Sequence, residues 1–243
     1  MLENKEGRKV PYIKVPVMTH SGWSELDTEK VFSNRKVIVF SLPGAFTPTC
    51  SASHLPRYNE LAPVFKSNGV DEIVCVSVND TFVMNAWASD QHSDNITMLP
   101  DGTGAFTEGM GMLVDKSAIG FGKRSWRYSM LVNDGVVEKM FIEEEVDGDP
   151  FQVSDADTLL NYINPEAEKP QFVALFGKAN CPHCARAKNL LQQHGLSFEE
   201  IEISDKITSK TLQAVAGKTS TPQIFIGGKY IGGADELEAY FQS

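Results

Sequence analysis

The strongest constraint on the fold is an alternation of strand and helix patterns that stops once along the chain and then starts again. Short apolar runs at 35–42 (RKVIVFSL) and 71–80 (DEIVCVSVND) are typical of strands buried in a covered sheet. Each run is followed by a helical pattern, at 50–66 and at 81–92. The alternation predicts an α/β fold.

The stretch NPEAEKP at 164–170, charged and containing two prolines, separates two sets of elements. Before it, an Asp-Gly pair at 134–135 predicts a hairpin, and a capped helical pattern occupies 154–163. After it, the pattern runs strand, helix, strand, helix, a glycine-glycine hairpin and a final helix. We predict a first domain over 1–163, a linker over 164–170 and a second domain over 171–243.

The acidic charge of the chain lies entirely in its first part. The formal net charge is −10, and residues 171–243 hold seven Lys or Arg against seven Asp or Glu. Much of the excess falls in 143–157 (EEEVDGDPFQVSDAD), which we interpret as a solvated surface. The charge balance predicts that nucleic acid is not a partner.

The sequence also argues against a membrane protein and a metal site. It contains no run of 18 apolar residues, and the charged start MLENKEGRKV lacks the apolar core of a signal peptide. We therefore expect a soluble, cytoplasmic protein without a membrane partner. Four cysteines are too few for a disulfide scaffold, and Cys50 and Cys75 are too far apart in sequence to complete a four-cysteine zinc site.

Cys181 and Cys184 form a CxxC pair after a predicted strand, a pattern typical of redox chemistry in an α/β domain. Pro182 suits the first position of a helix, so Cys181 is expected at a helix N-terminus. Unpaired N–H groups and the helix dipole there favour a thiolate. Cys184 follows one turn later, close enough to form a disulfide with Cys181.

The second domain resembles the glutaredoxins over its whole length. The motifs CPHC at 181–184, TPQIFIGG at 221–228 and GGADEL at 232–237 have the order and spacing of that family. The order βαβαββα over 171–243 is that of a complete thioredoxin-like unit.

This resemblance implies a groove for glutathione. Lys178 is expected to meet the glycine carboxylate, while Cys181 exchanges with the thiol. The backbone of Thr221, where the family often has valine, is expected to pair with the cysteinyl part beside a cis Pro222. The γ-glutamyl end is expected at the start of the last helix, at Gly233, Ala234 and Asp235.

The lone Cys50 follows a strand and a turn in the sequence PGAFTPTC. A cysteine in the first turn of a helix gains thiolate character. Thr47 precedes it by three residues and can turn its hydroxyl toward the sulfur, and Pro43 can shield the sulfur from water.

These residues, together with HLP at 54–56 and RYSMLV at 127–132, resemble the peroxiredoxins and most closely the peroxiredoxin-five subfamily, over about 5–163. The resemblance assigns Cys50 as the cysteine that attacks peroxide to give a sulfenic acid. Arg127 would stabilise the thiolate and polarise the peroxide, with Arg124 as a rival for that role. His54 either tunes the site or is structural.

Cys75 lies within a predicted strand and is expected to be a buried apolar residue. The first domain therefore offers no resolving cysteine, and a sulfenic acid at Cys50 needs an outside thiol. The two resemblances together imply a peroxiredoxin–glutaredoxin fusion of two thioredoxin-like domains. In it, glutathione forms a mixed disulfide with Cys50, and Cys181 removes the glutathione while Cys184 is dispensable.

The expected substrates are hydrogen peroxide and organic hydroperoxides, with glutathione as reducing cosubstrate and no tightly bound cofactor. The peroxiredoxin resemblance also implies a homo-oligomer, a dimer or tetramer. A linker of seven residues spans at most about 25 Å. The second domain could therefore act on Cys50 of its own chain or on Cys50 of another chain in the oligomer, and both possibilities are open. Two alternatives are a general thiol–disulfide oxidoreductase with the first domain as a docking scaffold, and a redox sensor switched at Cys50.

Overall fold

The computed structural model describes residues 2–146 and 148–242, and the chain divides into two compact units at residues 168 and 169. Each unit has its own sheet and its own buried core. Within the described residues, no helix has the length and apolar character needed to cross a membrane.

The first unit contains nine strands and five α-helices among its described residues. The strands are β1 (Lys14–Thr19), β2 (Gly22–Asp27), β3 (Lys36–Ser41), β4 (Glu72–Ser77), β5 (Thr97–Pro100), β6 (Leu113–Asp115), β7 (Lys123–Ser125), β8 (Tyr128–Asn133) and β9 (Val136–Ile142). The helices are α1 (Thr28–Phe32), α2 (Leu55–Ser67), α3 (Thr81–Asp90), α4 (Ala105–Gly109) and α5 (Ala156–Ile163).

The main sheet of this unit has the order β5-β4-β3-β8-β9, in which β3, β4 and β5 are parallel and β8 and β9 are antiparallel. Its central strand β3 is buried on both faces, which explains the unbroken apolar run in the sequence. Ile38 and Phe40 face one core cluster, while Val37 and Val39 face the other. The predicted β3, β4 and α3 are confirmed.

The predicted Asp-Gly hairpin is also confirmed, as the turn between β8 and β9. Asp134 and Gly135 have φ angles of 47° and 72°, the left-handed values that a two-residue turn of this kind requires. The helix expected near 154–163 is α5, and the side chain of Asp155 accepts a hydrogen bond from the backbone N–H of Thr158 at its start.

The second unit contains four strands and three helices among its described residues. They are β10 (Val173–Gly177), α6 (Pro182–Gln193), β11 (Glu199–Glu202), α7 (Ser209–Ala216), β12 (Gln223–Ile226), β13 (Lys229–Gly232) and α8 (Ala234–Gln242). The sheet order is β11-β10-β12-β13, with only the β10–β11 pair parallel. This is the βαβαββα order predicted from the sequence.

Candidate active site

The cysteine of the first unit lies where the chain leaves the central strand β3 and enters a helix. A helical turn begins at Pro48, continues as a π-helical turn over Cys50–His54 and then as α2. Turns of this wide kind occur often at functional sites. Cys50 therefore lies in the first helical turn, as predicted, and both Cys50 and His54 are fully buried.

Arg127 holds the centre of the site and is only 1% exposed. Its Nη1 donates to the Sγ of Cys50 at 3.5 Å and to Nδ1 of His54 at 3.0 Å. Its Nη2 donates to both carboxylate oxygens of Asp149. Burial disfavours the charge, but the negative charges of Cys50 and Asp149 outweigh it and raise the pKa of Arg127. A permanent positive charge is thus fixed beside the sulfur.

Arg124, the rival for this position, makes different contacts. Its Nε donates to the carbonyl of Phe121, and its Nη1 donates to the carbonyl of Val78. Arg124 lies on β7, which pairs with β6 in a separate hairpin, whereas Arg127 immediately precedes the sheet strand β8. The structure therefore places Arg127, rather than Arg124, against Cys50.

His54 connects Arg127 to a distant loop. Its Nε2 lies 3.1 Å from the carbonyl oxygen of Ser154, which accepts only, so Nε2 carries the proton and Nδ1 accepts from Arg127. Burial and the charge of Arg127 lower the pKa of His54 to about 3. The imidazole is therefore neutral at physiological pH and orients the guanidinium without repelling it.

A cavity of about 540 Å³ opens beside this arrangement, and Pro43, Thr47 and Arg127 line it. The hydroxyl of Thr47 donates to the carbonyl of Gly44 at 2.8 Å, not to the sulfur as its spacing from Cys50 suggested. Pro43, Thr47 and Arg127, three of the predicted site residues, therefore line one cavity. The fourth, Cys50, lies behind it in contact with Arg127.

The interpretation of 143–157 as a solvated surface is wrong for part of that stretch. Asp149 pairs with Arg127, and Glu143 is only 2% exposed. One oxygen of Glu143 accepts hydrogen bonds from the backbone N–H groups of Gln152, Val153 and Ser154 and from the Ser154 hydroxyl. Sequence reasoning missed these roles because the partner loops approach only in the folded chain.

Glu143 fixes the loop that carries the hydrogen-bond partner of His54. We therefore expect its removal to lower the free energy of unfolding. Burial opposes its charge, but the bonds from Ser154, Val153 and Gln152 prevail and lower the pKa of Glu143. Because folding lowers its pKa, Glu143 stabilises the fold at pH values above its pKa in the unfolded chain, which is about 4.3. That contribution disappears as the pH falls through the pKa of the folded state.

We predict that Glu143→Ala lowers the free energy of unfolding at pH 7 by about 3 kcal/mol, because four donors, two of them buried on Ser154, lose their acceptor. The difference from wild type should shrink below pH 4. Denaturant unfolding at pH 7 and pH 3.5 measures both effects. The exposed neighbour Glu144, changed to Ala, is the matched control and should stay within about 0.5 kcal/mol of wild type. An equal effect of the two substitutions would contradict the prediction.

Cys75 lies on β4 in the same core cluster as Cys50 and is fully buried, which confirms the predicted apolar role. Burial, and then the negative charge of Cys50, raise the pKa of the Cys75 thiol well above its ordinary value. A neutral, buried thiol is a poor nucleophile.

The second unit presents its cysteine pair as the sequence predicts. Cys181 precedes α6, and Pro182 is the first residue of that helix. The sulfur of Cys181 caps the helix by accepting from the backbone N–H of Cys184 at 3.2 Å, and the two cysteines form a disulfide. Cys181 is partly exposed, whereas Cys184 is 2% exposed.

The residues predicted around Cys181 fall into two groups. The Thr221–Pro222 bond is cis, and the carbonyl oxygen of Thr221 lies 3.7 Å from the sulfur of Cys181. Lys178 and Cys181 line an open cavity of about 750 Å³. Among the described residues, the lining of that cavity includes neither Thr221 nor the start of α8.

The start of α8 carries contacts of its own. The backbone N–H of Gly233 donates to the Glu236 side chain at 2.8 Å, and Ala234 is buried in the core of the unit. Asp235 pairs with Arg186 of α6 and is otherwise exposed. A ligand that uses this helix start must therefore replace the Glu236 and Arg186 contacts.

Two linked α/β units, one with a lone cysteine beside a buried arginine and the other with a CxxC helix cap, define a class of thiol-based oxidoreductase. Residues 5–160 match the Redoxin family, and residues 173–231 match the Glutaredoxin family. The chain therefore belongs to the peroxiredoxins, peroxidases of the oxidoreductase class, in a hybrid form with a C-terminal glutaredoxin domain. Both domains have the thioredoxin-like fold predicted, and the second implies glutathione as a reductant.

Relatives with similar sequences agree with this assignment. The hybrid peroxiredoxin hyPrx5 of Haemophilus influenzae is 60% identical over 240 residues, which cover 99% of this chain and 100% of that protein. The peroxiredoxin sll1621 of Synechocystis is 57% identical over 152 residues, which cover 61% of this chain and 80% of that protein.

Solved structures resemble the first domain. Reduced Prx3 of Vibrio vulnificus in complex with H₂O₂ has a TM-score of 0.62 and 40% identity, and the match covers 66% of this chain and 99% of that one. The 1-Cys peroxiredoxin of Plasmodium falciparum has a TM-score of 0.63 and 34% identity, covering 67% and 100%.

Proposed function

We propose that this protein is a glutathione-dependent thiol peroxidase that reduces hydrogen peroxide and alkyl hydroperoxides, with Cys50 as the attacking thiolate. The observation that carries the proposal is the 3.5 Å contact between the buried Arg127 and the sulfur of Cys50, next to a cavity lined by Pro43 and Thr47. The similar Prx3 of Vibrio vulnificus was crystallised with H₂O₂, which supports peroxide as the substrate.

In the first step, the thiolate of Cys50 attacks the terminal peroxide oxygen. The S–O bond forms as the O–O bond breaks, and the departing hydroxide or alkoxide takes up a proton. Charge therefore develops on the departing oxygen, where fixed donors lower the barrier. Arg127 is suited to this role because its Nε is buried and has no hydrogen-bond partner among the described residues. Thr47 and Pro43 shape the entry to the sulfur.

In the second step, the thiol of glutathione attacks the sulfenic acid of Cys50, releasing water and leaving a mixed disulfide. The thiolate of Cys181 then attacks the glutathione sulfur and regenerates Cys50. A second glutathione releases oxidised glutathione and frees Cys181. Attachment of the two domains to one chain raises the effective concentration of reductant to about the millimolar range.

For this exchange, we assign the glutathione contacts as the family resemblance implies. Lys178 supplies a positive charge for the glycine carboxylate, and the backbone beside the cis Thr221–Pro222 bond lies next to Cys181. The γ-glutamyl group would take the start of α8, at Gly233, Ala234 and Asp235, because a helix N-terminus favours an anionic group.

The relay is tested by peroxide-dependent NADPH oxidation with glutathione and glutathione reductase. Cys181→Ser should lower turnover at least about tenfold, because the linked nucleophile is lost. Cys184→Ser is the matched control: it removes the disulfide partner but leaves the attacking thiol, so it should retain turnover. Full activity of Cys181→Ser would mean that glutathione alone recycles Cys50 and would refute the relay.

The second candidate function is general thiol–disulfide exchange by the glutaredoxin domain. The partly exposed Cys181 and its disulfide with Cys184 favour it, since the pair suffices for that chemistry without Cys50. Reduction of a disulfide substrate by the wild type, without any peroxide turnover that depends on Cys50, would support this function over the peroxidase.

A further inference from the structure

The cavity beside Arg127 is larger than hydrogen peroxide requires. At about 540 Å³, it falls within the range of small-molecule pockets and exceeds the volume of one water molecule more than tenfold. Apolar side chains form much of its wall away from Arg127: Pro43, Pro48, Ala118, Ile119, Phe121 and Trp126. This wall suits a substrate with an apolar body.

Lys116 brings a positive charge to the same cavity. It lies in the loop between β6 and β7, where its backbone N–H donates to the carbonyl of Gly122 and its own carbonyl accepts from Ile119 and Phe121. Its Nζ lies 4.4 Å from the ring centre of Trp126. That ring is 5% exposed and is anchored by a hydrogen bond from Nε1 to the carbonyl of Glu143. The ammonium group is therefore held against a fixed wall.

The other charged side chains around the cavity already make polar contacts within the chain. Arg127 and Asp149 pair with each other. Asp115 accepts a hydrogen bond from the backbone N–H of Ser117, and the charge of Lys123 acts on it. Within residues 2–146 and 148–242, Lys116 makes no ion pair. Among the described residues that line the cavity, the positive charge of Lys116 is therefore available to pair with a ligand.

We propose that Lys116 forms a carboxylate subsite, and that the cavity takes hydroperoxides with an apolar body and a terminal carboxylate, such as fatty-acid hydroperoxides. The inference rests on the proposed peroxidase function of Cys50. The hydroperoxide group meets Arg127 and Cys50, the apolar chain lies along Ile119 and Phe121, and the carboxylate pairs with Lys116. The covalent step is unchanged: the S–O bond forms, the O–O bond breaks and the alkoxide takes up a proton.

The test measures oxidation of Cys50 in single turnover, without glutathione, by an ω-carboxylated straight-chain alkyl hydroperoxide, its methyl ester and H₂O₂. The full-length wild type should react about fivefold faster with the acid than with the ester, as expected for one partly exposed ion pair. High salt should reduce this preference.

Lys116→Gln should abolish the preference for the acid while leaving the rates with ester and H₂O₂ unchanged, and Lys116→Arg should retain it. Lys123→Gln is the matched control, because it removes an exposed lysine on the adjoining strand that is outside the cavity lining. Equal slowing with all three peroxides, or an acid preference that survives Lys116→Gln, would overturn the proposal.

This assay separates the two proposals. Failure of the glutathione relay would leave single-turnover oxidation unchanged. Absence of Cys50 oxidation by every peroxide would refute the peroxidase function and the carboxylate subsite with it.

Discussion

Replacing Cys50 with serine is expected to reduce peroxide turnover to background, a loss of at least about 10³-fold, because the nucleophile itself is removed. An alcohol at this position is almost entirely protonated near neutral pH and cannot form the sulfenic acid. NADPH-coupled turnover measures the loss, and mass spectrometry of the peroxide-treated protein shows whether oxygen is added at Cys50.

Cys75→Ala is the control for this experiment, since it removes the other free thiol of the first domain. Cys75 is fully buried in the same cluster as Cys50, so its replacement should cost about 1 kcal/mol of stability and leave turnover intact. Turnover that depends on Cys75, or that survives Cys50→Ser, would contradict the assignment of Cys50.

Replacing Arg127 with glutamine is expected to slow the oxidation of Cys50 by hydrogen peroxide about 10²- to 10³-fold, the typical cost of removing a fixed donor from a developing charge. The guanidinium lies 3.5 Å from the sulfur and is held by His54 and Asp149, so no water or neighbouring side chain reproduces its charge. Stopped-flow measurement of the second-order rate constant checks this expectation. The rate of Cys50 alkylation by iodoacetamide should fall less, because that reaction depends on the thiolate but leaves no charge on a departing peroxide oxygen.

Arg124→Gln provides a matched control three residues away. Arg124 donates to two backbone carbonyls and makes no hydrogen bond to Cys50 among the described residues, so its loss should change the oxidation rate by no more than about threefold. A larger effect for Arg124→Gln than for Arg127→Gln would reverse the assignment of the two arginines. Circular dichroism spectra of both variants would reveal any loss of fold.

The substitutions of Glu143 and Arg127 act on one connected set of groups. Glu143 holds Ser154, the Ser154 carbonyl accepts from His54, and His54 accepts from Arg127. We therefore expect Glu143→Ala to affect stability first and the reaction of Cys50 second, through the orientation of the guanidinium.

Local sequence patterns determined most of the fold and part of the candidate site. The apolar run of β3, the Asp-Gly turn at 134–135 and the proline at the start of α6 each act on neighbouring residues, so their consequences can be inferred without the rest of the chain. The same holds for the first-turn position of Cys50 and the CxxC helix cap, where the spacing alone fixes which groups meet.

The tertiary structure decided the contacts that join distant segments. Arg127 rather than Arg124 reaches Cys50 because the chain leaves the β6–β7 hairpin after Arg124 and enters the main sheet after Arg127. His54 meets Ser154 across 100 residues, and Asp149 meets Arg127 across 22. The acidic stretch 143–157 shows most clearly what cannot be predicted from local sequence. Its composition predicts a solvated surface, yet burial of Glu143 is favourable because the folded loop brings four donors to one oxygen.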